Sequence, residues 1–378
     1  MEQELDLSSL SNLPFVAQTL IQDNYKTKSI KLILDNIDLF ELPSILTEFT
    51  WINKLSVYNC KISSINNLPK NLIDLRCNHN NITKLDGINL PETLRYIECE
   101  NNNMEVCINL KEGLETIFMK SNILDTLDLP TTVTAVDASD NNFKEFPTLN
   151  NNVVKVDLSE NRIDILDCTI ESLVDLDVSN TRIHTIINLP KNLLQFKCFL
   201  TGLRNILCPF PEKLIELNLY QNELTNIATL PDSIETLDLS GNDIVTLNIP
   251  KSINDLDIAT MPKLRLTNEQ ITFINNLKLN KKSVTWDNEK ETNNDNIFSQ
   301  NIQYMQHIQH MQHIQHTQQM QHMQTNSHIF NINDYSSLMT NSDIHRLYLN
   351  NRTESPKRVN KYSLENPNYI ISNKTIEI

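Results

Sequence analysis

One pattern of apolar residues recurs about every 20 positions along most of this chain, and that period belongs to neither a single helix nor a single strand. In the stretch LPDSIETLDLSGNDIVTLN, Leu230 to Asn248, apolar residues stand at Ile234, Leu237, Leu239, Ile244 and Leu247 around a central Asn242. Taking Asn242 as anchor n, these are positions n−8, n−5, n−3, n+2 and n+5. The template fits at anchors Ile37, Cys60, Asn80, Asn102, Asn122, Asn141, Asn161, Thr181, Thr201, Asn222, Asn242 and Met261, with steps of 19 to 23 residues. A fixed period of this length is the mark of a solenoid.

The physical reason lies in what one unit cannot do alone. In LVDLDVSNTRI, Leu173 to Ile183, alternation places n−5 and n−3 inside and n−6, n−4 and n−2 outside. A single copy has nowhere to bury its inner side chains. Stacked copies pair their strands in parallel and share one core. The anchor follows the strand where the chain turns inward, and seven of the twelve anchors are Asn, whose amide both donates to and accepts from backbone groups. Ile37 and Met261 cannot do this and stand at the ends of the array, so the repeat body is expected over residues 29–266 in about 12 repeats.

The segments LPKNLIDLRCNHNNITKLDGIN, LPETLRYIECENNNMEVCIN and LPDSIETLDLSGNDIVTLN resemble the leucine-rich repeat, in the short LPX subtype of bacterial type III-secreted effectors. The resemblance covers about 240 of the 378 residues and implies a horseshoe with a concave parallel β-sheet, a fold that serves unrelated partners. Leu110-Lys111 and Ile249-Pro250 alter the leading Leu-Pro. About ten residues remain per repeat for the convex return, too few for a packed α-helix, and recurrent prolines such as Pro69, Pro91 and Pro231 favour extended backbone there. The expectation is a β-rich solenoid with a helix-poor convex side and a disordered C-terminal tail.

The flanks differ. Residues 1–28 contain LPFVAQTLIQDNY, read as an amphipathic helix that caps the first repeat. Thr267 is a candidate N-cap for a second helix, with Ile271, Ile274 and Leu277 at helical spacing, so 267–286 is expected to close the other end. Residues 287–333 form a Gln/His-rich low-complexity linker with histidines at 307, 310, 313, 316 and 322. Opportunistic metal binding and an assembly role are the alternatives to a plain linker. Residues 334–378 contain a candidate phosphorylation site at Ser355 and carry no functional reading.

Composition bounds the function. A formal charge of −15 disfavours nucleic acid and anionic membranes as partners, because phosphate neutralisation needs clustered Lys and Arg. Abundant Asn and Ile with only four glycines resemble the composition of large DNA viruses of amoebae. No apolar run reaches transmembrane length and MEQELDLSSL lacks a signal-peptide pattern, so a cytoplasmic location, including that of a host cell, is expected. Cys77, Cys99 and Cys198 fall on inward n−3 positions and read as core thiols. Related bacterial effectors often append a ubiquitin-ligase domain, but no cysteine follows Cys208. No phosphate-binding glycine loop, hydrolase elbow or zinc spacing is present, so neither catalysis nor a cofactor is expected.

What remains is a binding surface. Position n−4 carries Asp137, Asp157, Asp177, Asp238 and Asp257, three of them consecutive, and the outward positions also carry Tyr96, Phe118, Phe199 and Tyr220. Stacked like charges repel and outward aromatics are favoured interface anchors. The sequence therefore predicts a monomeric scaffold that holds a protein or peptide ligand, basic in character, on its concave face. A merely solvated acidic face, an adaptor that delivers targets through its tail, and a structural protein that associates through the Gln/His segment are the competing readings.

Overall fold

A computed structural model describes residues 3–6 and 30–287. Their organising element is a 14-stranded sheet in which every neighbouring pair is parallel. Twelve of its strands, from Ile30–Ile33 to Asp255–Ile258, each precede one of the twelve anchors. Apart from one irregularity between Ile30 and Lys31, register is kept from strand to strand: Val156 stands level with Val136 on one side and Leu176 on the other. The described residues form a parallel β-solenoid of the architecture the repeat predicted.

Each repeat buries the same positions. Ile234, Leu237, Leu239, Ile244 and Leu247 are all buried, as are most of their equivalents along the array, and they form one continuous apolar cluster against which half-buried equivalents such as Phe146, Ile206 and Ile227 pack. Each such side chain contributes about 1.5–3 kcal/mol on burial, but only because the next repeat supplies the opposite wall. On the return path the proline opens a tight turn: the amides of Leu72, Leu94, Val133, Leu193 and Ile234 donate to the carbonyls of Pro69, Pro91, Pro130, Pro190 and Pro231. The same turn forms without proline at Lys111 and Asn150. Two small convex sheets, Lys84–Asp86 with Val106–Ile108 and Ile165–Asp167 with Thr185–Asn188 and Asn205–Ile206, complete the return side.

The anchors stitch the repeats together. Asn141 Oδ1 accepts from Leu124 N at 2.9 Å in the preceding repeat. Its Nδ2 donates back to Met119 O at 3.0 Å and to its own repeat at Ala138 O, 3.1 Å. Asn80, Asn102, Asn122, Asn161, Asn222 and Asn242 make the same bridge. Cys60 replaces the amide with its thiol, which donates to Leu34 O at 3.0 Å.

Immediately before each of the twelve anchors the backbone is left-handed, with φ between 47° and 72°, and only Gly241 of these residues is a glycine. The others include Asn36, Asn59, Asn101, Asp140 and Asn180, which tolerate this region, but also Leu200, Gln221 and Thr260. A chain with four glycines thus accepts local strain at a turn the repeat requires.

Both ends depart from the expected boundaries. Gln3–Asp6, inside the segment expected to cap as a helix, is a strand paired with Ile30–Ile33, because its Leu5 continues the inward column against Leu32. The helix predicted around residues 13–25 lies outside the described residues. At the other end the segment 267–286 is not one helix. Thr267 and Gln270 form a capping box for the helix Asn268–Leu279, which buries Ile274 and Leu277, and Ser283–Trp286 then returns as the last strand against Asp255–Ile258. Both additions extend the backbone ladder beyond the terminal repeats. The Gln/His segment and the remaining tail also lie outside the described residues.

Two expectations follow. Asn141→Leu leaves the buried Leu124 amide without its acceptor and Met119 O with only Asn122 as side-chain donor, at about 1–3 kcal/mol for the orphaned amide, and Leu176→Ala costs about 2–5 kcal/mol. Thermal melts of both variants check this, and a wild-type melt for Asn141→Leu contradicts the bridging role. Conversely, Thr260→Asn relieves a β-branched residue at positive φ and is expected to stabilise by about 0.5–1 kcal/mol. An unchanged or lower denaturation midpoint would show that no strain is held there.

Candidate functional site

The residues singled out from the sequence line the outer face of the long sheet. Asp137, Asp157 and Asp177 occupy neighbouring strands in register, at a strand spacing of about 4.8 Å. Asp238 and Asp257 form a second adjacent pair nearer the C-terminal end. Their carboxyls do not project freely into solvent as the alternation suggested. Each is half-buried, because one oxygen caps the start of the turn. Asp137 Oδ1 accepts from Ser139 N at 3.0 Å and from Ser139 Oγ at 2.7 Å, and Asp157 and Asp238 hold Ser159 and Ser240 in the same way. Asp177 accepts from Ser179 N and Asp257 from Ala259 N.

These bonds correct two expectations. The n−2 serines Ser139, Ser179 and Ser240 are buried rather than outward, because they fold under the neighbouring carboxyl or backbone. The aspartates have a structural duty as well as a surface. With Oδ1 of Asp137, Asp157 and Asp177 engaged, Oδ2 of each has no hydrogen-bond partner among the described residues, and the side chain is held in one orientation.

Burial and like charge act together on this row. Desolvation, followed by repulsion from Asp177 and Asp137, raises the Asp157 carboxyl above the ordinary aspartate range despite the two bonds from Ser159. Asp238 is raised by burial and by Asp255. Asp257 is pushed up to about 6 by burial and by the charges of Asp238, Asp255 and Asp287. Lys155 and Lys197 stand on the same face but pair with Asp175 at 2.8 Å and Glu216 at 3.7 Å instead of the ladder.

The aromatics flank the aspartate row without meeting across it. Tyr96 and Phe118 touch edge to face, with centroids 5.6 Å apart. Phe199 and Tyr220 follow the strands Gln195–Lys197 and Glu216–Asn218 on the far side. From the strand of Phe118 to that of Lys197 is four strand steps, about 19 Å. All four rings are half-buried.

Sequence reasoning missed one cluster on this face. The Arg76 guanidinium lies 5.2 Å from the Tyr96 ring centroid and pairs with Asp74 at 3.2 Å and Glu98 at 3.5 Å. Arg76 and Glu98 were visible in the n−4 column. Their link to Tyr96 depends on adjacent-strand register, which pairs Asp74 with Tyr96 and Arg76 with Glu98. Next to it a shallow pocket is lined by Glu4, Lys31, Lys54, Asp74 and Arg76, whose charges largely compensate one another.

Burial pushes the thiols up, to about 11 for Cys168 and about 12 for Cys198, and Cys99 rises through its hydrogen bond to Cys77 and burial. None of these supplies a thiolate near neutral pH. Among the described residues no group of three His, Cys, Asp or Glu side chains is placed to hold a metal ion, and no helix is long and apolar enough to cross a membrane.

No protein-family model matches this sequence, and no curated protein does. Solved structures match in fold. YopM from Yersinia enterocolitica WA-314 aligns with a TM-score of 0.52 and 22% identity, over 67% of this chain and 62% of that one, so the match spans less than two thirds of its length. YopM from Yersinia pestis, a leucine-rich effector protein, aligns with a TM-score of 0.51 and 24% identity over 61% of this chain and 75% of that one. The leucine-rich repeat domain of APL1B gives 0.51 and 18%, over 67% and 87%. At these identities the likeness is one of fold.

Asp257 generates a pH expectation. Its folded value of about 6 exceeds an unfolded value of about 3.9, so the protonated carboxyl is favoured in the folded chain. Its stabilising contribution is full below about pH 4 and is lost as pH rises through about 6. The melting temperature of wild type minus that of Asp257→Asn is therefore expected to fall across this window. A constant difference would show that Asp257 is not perturbed.

Proposed function

We propose that this chain is a non-catalytic binding scaffold that takes a basic polypeptide on the concave face of its long sheet. The observation that carries the reading is the in-register row of Asp137, Asp157 and Asp177. One oxygen of each is fixed by the following turn, the other is unengaged, and the middle carboxyl is raised by burial and then by its neighbours. Repulsion within such a row is relieved when cationic side chains arrive. Tyr96 and Phe118 on one side, with Phe199 and Tyr220 on the other, offer apolar anchoring at both ends of the charged patch. Arg76 stacked on Tyr96 between two carboxylates is an internal example of the group such a face accommodates.

The likeness to YopM supports a scaffold by fold and leaves the partner to the chemistry of this face. A cytoplasmic, monomeric protein, and one that works as an effector-like adaptor in a host cell, fit the same reading. Assembly through the Gln/His segment rests on residues outside those described, and no feature of the described sheet favours it.

Parallel captures from cell lysate, with wild type and with Asp137, Asp157 and Asp177 all changed to Asn, test the ladder. Wild type is expected to retain basic proteins at low salt that the variant loses, with retention falling as salt rises. Identical profiles from the two baits would remove the aspartates from the function.

A further inference from the structure

The asparagine bridge is interrupted at two consecutive interfaces in the middle of the array. Thr181 Oγ1 donates to its own repeat, at Val178 O, 2.8 Å. Thr201 Oγ1 donates forward to Asn222 Oδ1 at 2.9 Å. Neither reaches back to the preceding repeat as an asparagine does. Where the next anchor is an asparagine its Oδ1 receives the n+2 amide, as Asn161 does from Phe143 N at 3.0 Å and Asn222 from Leu203 N at 3.0 Å; at the end of the array Ile244, followed by Met261, has no such acceptor among the described residues. The equivalent amides of Ile163 and Ile183, both fully buried residues, find no acceptor among the described residues. Such orphaned amides are rare in native structures.

The convex side behaves in the opposite way at the same place. Its three-stranded sheet, Ile165–Asp167, Thr185–Asn188 and Asn205–Ile206, spans these same two interfaces. Asn188 Nδ2 adds a bond to Asp167 Oδ1 at 2.9 Å, Cys168 N donates to Asn188 O and Leu207 N to Ile186 O. The turn beside the concave sheet keeps its backbone bonds here, such as Glu160 N to Ser179 O and Asn180 N to Phe199 O, but loses the anchor's side-chain bridge, while the return path gains a ladder. An array held on one side and less tightly bridged on the other opens at the weaker side more readily than a uniformly bridged one.

We infer that the repeats anchored at Thr181 and Thr201 form a joint, in which the turns beside the concave sheet open locally while the convex ladder stays closed. The joint lies between the strands of Asp157 and Lys197. It therefore divides the face that carries Tyr96, Phe118 and Asp137 from the one that carries Phe199 and Tyr220, and lets the two adjust to an object seated across them. The joint follows from the bonding of the array alone, whatever the partner.

Native-state amide exchange of the full-length protein, resolved residue by residue, tests it. The Ile163 and Ile183 amides are expected to exchange at least about tenfold faster than those of Phe143 and Leu124, the scale of one lost hydrogen bond, while Cys168 and Leu207 on the convex ladder stay protected. In Thr181→Asn the restored bridge is expected to slow Ile163 to the rate of Phe143. Equal protection of Ile163, Ile183 and Phe143 in wild type overturns the joint. So does equally fast exchange of Leu207 and Ile163, because whole repeats would then be opening. The wild-type comparison stands alone if the variant does not fold.

Discussion

The bond on which this structure depends is shared by two asparagines. The carbonyl of Cys99 receives Asn102 Nδ2 from its own repeat at 3.3 Å and Asn122 Nδ2 from the next at 3.0 Å. Met119 O is shared in the same way by Asn122 and Asn141, and Ala138 O by Asn141 and Asn161. The apolar core favours any compact stacking of these repeats, since hydrophobic burial has no direction. The shared carbonyls select one stacking. Each amide is satisfied only when the next repeat arrives in register and at strand distance, so bridge and parallel sheet form together.

The outer face of the long sheet inherits this register. Because the turn after each strand is held from below, the n−4 side chain is carried to the same height in every repeat. Three aspartates that are 20 residues apart in sequence thereby become nearest neighbours. Their carboxyls also take part in the turn, one oxygen capping the n−2 residue. The common Leu-Asp-Leu-Ser pattern thus has a purely structural origin in each repeat taken singly. What goes beyond structure is the juxtaposition of three, whose mutual repulsion at Asp157 does nothing to hold the turn.

The solenoid was legible because its cause is periodic. Every repeat has the same core positions, so Ile234, Leu237 and Leu239 declare their environment by recurrence, and the side-chain amide at the anchor brings two donor hydrogens and an acceptor to one place. The left-handed residue before each anchor was not legible. The position carries His79, Ser121, Glu160 and Leu200 as readily as Asn, so no residue type marks it. The burial of Ser139 and Ser240 was hidden for a related reason: simple alternation sends n−2 outward, and the bond to the preceding aspartate overrides it. The end strands Gln3–Asp6 and Ser283–Trp286 lack an anchor and so fall outside the template, although backbone pairing needs none. The Arg76 and Tyr96 contact is set by register between strands, which spacing along one chain does not display.

If shared carbonyls couple the repeats, neighbouring anchors are energetically linked and distant ones are not. A double-mutant cycle on Asn102→Ala and Asn122→Ala, which meet at Cys99 O, compared with one on Asn80→Ala and Asn242→Ala, measures this by denaturant unfolding. The account predicts an interaction of about 0.5–3 kcal/mol for the neighbouring pair and additivity within about 0.5 kcal/mol for the distant pair. Additive losses in both cycles would contradict it, because each asparagine would then serve only its own turn and the stacking would rest on the apolar core alone.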